Sequence, residues 1–140
     1  MPLAAGQLMK NGEINAAKAA VGAAATTYTP FLALLTAAPT ATDTIMTSET
    51  EVATSTGYAR QAYGAGSPTS ASPSVVGNSG TITFGPFTSA PGSITWGVLC
   101  DSSSSTTANL YAALLLSTAR SPLTGDSLQA AANAFALTIT

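Results

Sequence analysis

The side chains able to do chemistry are few, and their spacing narrows what they could do. Glu49 and Glu51 are the only carboxylates close together in the sequence. A glycosidase needs two carboxyl groups placed across a sugar ring, one with a raised pKa. Nothing in the Thr/Ser-rich stretch 41–56 leads us to expect burial of either. With Asp43 they could offer oxygens to a hard cation. No EF-hand-like spacing or turn glycine accompanies them, so a solvated loop is the better reading and no metal is expected. Asp101 and Asp126 fall at strand ends, where aspartate commonly bonds its own backbone in a turn. The many serines have no general base: histidine is absent, G-x-S-x-G does not occur, and neither lysine follows a serine at S-x-x-K spacing. Cys100 is the single thiol, which rules out zinc sites, Cys/His dyads and disulfides within one chain. On its alternating segment it reads as a small buried hydrophobe. The inventory therefore argues against an enzyme and calls for no cofactor.

The residues that remain are suited to contacts. Arg60 and Arg120 are the only arginines. A guanidinium can fix an interface through a bidentate carboxylate contact, so each is a candidate partner-binding residue, with an exposed or intra-domain ion pair as the competing reading. Ile14, Ala17 and Val21 recur at helical spacing in EINAAKAAVGAAA (13–25), an Ala-dense stretch with Glu13 near its start, where the helix dipole favours an acid. That thin apolar face either packs on its own domain or docks on a neighbouring subunit. Trp96 and Tyr58 could stack on a sugar, but Trp96 lies among apolar neighbours and core packing is the better account.

These residues must be positioned by a chain of 140 residues in which Ala, Thr and Ser fill 66 positions and charged residues only 7%. An ordinary soluble domain carries roughly 25% charge. The length fits one domain with a real core. Four basic residues against six acidic ones cannot build the cationic footprint that nucleic acid demands. No apolar run is long enough for a membrane helix, and the N-terminus lacks the basic region and apolar core of a secretory signal. A surface so poor in charge is expected to sit against neighbours, as a homo-oligomer or within a larger assembly.

The elements read as strands. FLALL within residues 30–40 is an apolar run bracketed by prolines, GYARQAYG (57–64) alternates, TITF (81–84) is short, and SITWGVLCD (93–101) alternates most clearly. NLYAALLLSTAR reads as a buried strand over 109–116, and SLQAA (127–131) and NAFALTIT (133–140) close the chain. Turn chemistry fills 65–80, with at most a short strand at Val75-Val76, and the DSSSSTTA stretch (101–108) reads as a flexible hairpin connection. The expectation is a mainly β fold: an antiparallel β-sandwich, jelly-roll-like, of about seven or eight strands over 26–140, preceded by an arm or short helix at 1–25. Its core would be Leu32, Leu34, Tyr58, Ile82, Phe84, Trp96, Val98, Leu114, Phe135, Leu137 and Ile139.

Taken in order, FLALLTAAPT (31–40), GYARQAYG (57–64), TITF (81–84), SITWGVLCD (93–101), NLYAALLLSTAR (109–120) and TGDSLQAAANAFALTIT (124–140) resemble the small virion proteins of tailed bacteriophages labelled head decoration or tail fibre proteins. The order and spacing of the segments carry the resemblance. Residues 1–25 match loosely, and Leu99-Cys100 stand before Asp101 where an aromatic is more usual. The resemblance implies a non-enzymatic β-sandwich displayed on a virion. Two roles follow from it. One is a capsid decoration or cement protein that binds the major capsid protein and stabilises the head, favoured because the long loops contain no aromatic residue. The other is a tail-fibre or tail-tip module that recognises a host receptor or glycan.

Overall fold

The computed structural model describes residues 30–64 and 74–139. The chain is mainly β, and every strand pair is antiparallel. The strands are β1 (Phe31–Leu35), β2 (Gln61–Ala62), β3 (Ser74–Gly77), β4 (Ile82–Phe84), β5 (Ile94–Cys100), β6 (Leu110–Arg120), β7 (Leu128–Ala130) and β8 (Ala136–Ile139). Single 3-10 turns at Met46–Ser48 and Thr54–Thr56 are the helical pieces among the described residues.

A four-stranded sheet in the order β2-β1-β5-β6 is the frame, accompanied by two ribbons, β3-β8 and β4-β7. The apolar alternation of β1 and β5 serves two cores at once. Leu32, Leu34, Leu99 and Leu114 pack with Ile82, Phe84, Phe87, Tyr58, Tyr63 and Phe135 in one cluster. Tyr58 and Phe84 stack there with ring centroids 6.0 Å apart. Ala33, Leu35, Trp96, Val98, Cys100, Leu110 and Ala113 form the second cluster, with Met46 and Ala108 from the loops. Successive strand residues point to opposite faces, so membership of the two clusters alternates along β1.

The nine expected core residues from Leu32 to Phe135 are buried, but Trp96 and Val98 belong to a different cluster from the other seven. Leu137 and Ile139 lie on β8, and their side chains fall outside the description, as do Ile14, Ala17, Val21 and the whole of 1–25. Other expectations are corrected. GYARQAYG pairs as a strand only at Gln61–Ala62. Before that, Gly57 closes the 3-10 turn in the left-handed region at φ 79°, and Tyr58 and Arg60 then spend their polar atoms on Glu51. Ile94 does not share a face with Trp96, because the β5–β6 register shifts between them. β6 runs to Arg120 and not to residue 116, and its last six residues are exposed or half-buried.

Candidate functional site

Arg60 is the most interior charge among the described residues, its side chain 4% exposed. The main chain sets up its partner: Thr36 N–H donates to Thr50 O, Val52 N–H donates to Leu34 O, and Leu35 bridges Glu51. Glu51 is thereby held beside the edge of β1. Arg60 Nε donates to Glu51 Oε1 and Nη2 to Oε2, each at 2.8 Å, the bidentate fork that suits a guanidinium. Nη1 donates to the carbonyls of Ser102 and Ser105, both at 2.9 Å. Tyr58 completes the group: its hydroxyl donates to Glu51 Oε1 and accepts from Leu34 N–H, both at 2.9 Å. The bond to Glu51 holds the guanidinium pKa above its ordinary value, and burial raises that of the Tyr58 phenol, keeping it a neutral donor. The 101–108 connection, expected to be flexible, is thus tied to the sheet, and Ser102 Oγ orders it further by accepting from Ser105 N–H at 3.0 Å. Arg60 therefore has the intra-domain ion pair, and its cluster works as a latch.

Glu49 does not pair with Glu51. Its Oε1 is buried with no hydrogen-bond partner, and Asp43 is the neighbour that acts on it. Asp43 Oδ2 accepts from Thr40 N–H at 2.7 Å. Desolvation first, then the Asp43 charge and a bond to it, push the Glu49 carboxyl up to about 7. Two carboxyl groups can bond only by sharing a proton. Folding therefore takes up that proton, so the protein should lose stability as pH rises from about 4.5 to about 7 and stay flat above. The expected size is about 1 kcal/mol after allowing for solvent screening of a half-exposed group. Glu49→Gln should accordingly melt higher than wild type at pH 8, with the difference gone near pH 4.5. An equal difference at both pH values would count against the shared proton.

Arg120 stands apart from this cluster. It is exposed at the end of β6 and lines an open groove of about 440 Å³ with Phe84, Leu116, Leu128 and Phe135. Asp126 has the expected turn role, accepting from Leu123 N–H at 2.9 Å, whereas Asp101 bonds across the base of the 101–108 connection, accepting from Asn109 N–H at 2.9 Å. Cys100 is buried, with burial the largest cause of a raised thiol pKa, and its thiol donates to Ser102 O at 3.4 Å. No group of three metal-ligating side chains occurs among the described residues.

Against this background of a bonded Arg60–Glu51 latch and packed aromatics, the family model of the podophage GP4 fiber I protein gp80 matches residues 5–138. The chain belongs to that family. No curated protein matches it. The gp80 fibre family is one of phage virion structural proteins, and the virion is where this chain belongs. The match takes in most of the first 25 residues, which the segment resemblance had covered only loosely.

One residue that matters to the gp80-type fold escaped the sequence reading. Asn78, fully buried, donates from Nδ2 to Gly80 O at 2.7 Å and Ala131 O at 2.8 Å, and accepts at Oδ1 from Phe135 N–H at 3.1 Å. It ties β3 to the chain entering β8. Beside it Gly77 leaves no room for a side chain: a Cβ would meet Asn133 Oδ1 at 2.5 Å. The GNSG stretch signalled a turn, and nothing in it signalled a buried amide.

Proposed function

We propose that the chain is a non-enzymatic structural subunit of a phage fibre, a building block and not the part that reads the host surface. The observation that carries this is the fate of the aromatics. Tyr58, Tyr63, Phe84, Phe87, Trp96, Tyr111 and Phe135 are buried, and Phe31, the remaining aromatic of the described residues, is half-buried against the second cluster, so no aromatic ring of the described surface stands free as a stacking platform for a sugar. Arg60 and Glu51 are engaged in the latch, and Glu49 does not pair with Glu51 across a cleft as a glycosidase would require. The fibre description of the family supports a tail position, whereas the low charge and aromatic-free loops had favoured the head and a contact with the major capsid protein.

Immunogold electron microscopy of intact particles, with antibody against residues 26–140, separates the two. Gold on the fibres is the expected result, together with no binding of the purified chain on a glycan array. Gold spread evenly over heads would replace the fibre reading with decoration of the capsid protein. Saturable glycan binding would instead make the chain a receptor module.

A further inference from the structure

The groove that Arg120 lines has unusual walls. A strand that turns one face to a cleft lines it with every second residue. Here Leu115, Leu116, Ser117 and Thr118 line it consecutively from β6, and Leu128, Gln129 and Ala130 consecutively from β7. Among the described residues β6 is the last strand of its sheet, and β7 pairs only with β4. The groove is therefore bordered by two strand edges with an apolar floor that includes Phe84 and Phe135. Long apolar edges left bare are a liability that proteins cover.

The segment joining these two walls, residues 121–127, carries the most exposed large hydrophobe among the described residues, Leu123, at 67%. That turn is rigid. Asp126 Oδ2 accepts from Leu123 N–H at 2.9 Å, Gly125 N–H donates to Phe87 O at 2.7 Å, and Phe87 N–H donates to Asp126 O at 2.8 Å. Leu123 is thus held out in one place, and a preorganised contact loses little entropy on binding.

We propose that the groove receives the 121–127 turn of a second copy of this chain, with Leu123 as the apolar knob and the visiting Asp126 carboxylate meeting Arg120 of the receiving groove. One surface displays both halves of the contact, the condition for self-association. Its charges are complementary: Arg120 makes no ion pair among the described residues, and Asp126 is exposed. A net charge of −2 offers little long-range repulsion between copies. The assignment is independent of where on the particle the protein sits.

Sedimentation velocity of the full chain over a range of concentrations tests it. Wild type should self-associate. Leu123→Ser should raise the dissociation constant at least about tenfold, the loss of one buried leucine, while leaving the melting curve in place at concentrations low enough for both proteins to be monomeric, because Leu123 is exposed in the monomer. In a second measurement, Leu123→Cys and Leu116→Cys are carried on separate chains, mixed and mildly oxidised; a disulfide between the two chains is expected. Wild type that stays monomeric throughout overturns the proposal, as does Leu123→Ser that associates as tightly as wild type. A disulfide that forms only when both cysteines share one chain would also overturn it, making the occupant a segment of the same molecule.

Discussion

Arg60→Ala is expected to lower the unfolding free energy by about 3–5 kcal/mol, the usual cost of removing one partner from a buried, hydrogen-bonded ion pair. At this chain length that corresponds to a fall of about 10–17 °C in melting temperature. The loss has two sources. Glu51 keeps its charge beside the β1 edge with only the Tyr58 hydroxyl donating to it. The Ser102 and Ser105 carbonyls lose the donor they share. Against these losses, the 101–108 connection, released from the sheet, regains conformational entropy within the native state, which offsets a small part of them. Replacing both charges, as Arg60→Met with Glu51→Leu, should recover most of the stability, because two apolar side chains leave no unpaired charge behind. Urea unfolding of the single and double variants measures this. An Arg60→Ala protein within 1 kcal/mol of wild type would show the latch to be an incidental surface pair.

Asn78→Ala is expected to cost about 3 kcal/mol by a different route. The cavity is small, but Phe135 N–H loses its acceptor in a buried place, and the two part-buried bonds that tie the chain to the Gly80 and Ala131 carbonyls go with it. The damage should be local first. Hydrogen exchange ought to quicken in β3 and β8, whose register from Ser74↔Ile139 to Gly77↔Ala136 ends at this residue, before it quickens in β1 and β5. Asn78→Asp sharpens the test, since it keeps the acceptor, removes both donors and adds a buried charge. It should be at least as damaging at pH 8 and less so in acid. If Asn78→Asp were as stable as wild type at pH 8, the two Nδ2 bonds would be irrelevant to the fold.

Much of the scaffold could be read from alternation and turn residues. β4, β5 and β7 fall within one residue of where the pattern put them, because Gly, Pro and Asp mark their ends. The pattern failed where tertiary contacts decide. Ile94, Trp96, Val98 and Cys100 look like one face, yet a register irregularity against β6 moves Ile94 into the other cluster. Alternation cannot reveal extra residues on the partner strand, and here β6 advances five residues while β5 advances two. Glu49 and Glu51 look like the natural carboxyl pair from their spacing. Glu51 instead bonds Arg60, nine residues on, and the neighbour acting on Glu49 is Asp43, six residues back. Both results follow from how the 40–60 region folds along β1, and the residue order does not encode that by itself. The groove was invisible for the same reason: it exists only because β6 and β7, though consecutive, are not paired with each other.

The strand order also bears on how the protein is made. The four-stranded sheet can assemble from residues 31–120, but β4 waits for β7 and β3 waits for β8. During synthesis the sheet face carrying Leu32, Leu34, Leu99 and Leu114 therefore lacks its cover until residues 128–139 have left the ribosome. Pairings this distant in sequence form slowly, and the uncovered intermediate is open to aggregation. A stop codon between Arg120 and Leu128 would leave a chain that has its main sheet and still cannot hide it. Such truncations should collect in inclusion bodies, while the full chain of the same gene stays in solution.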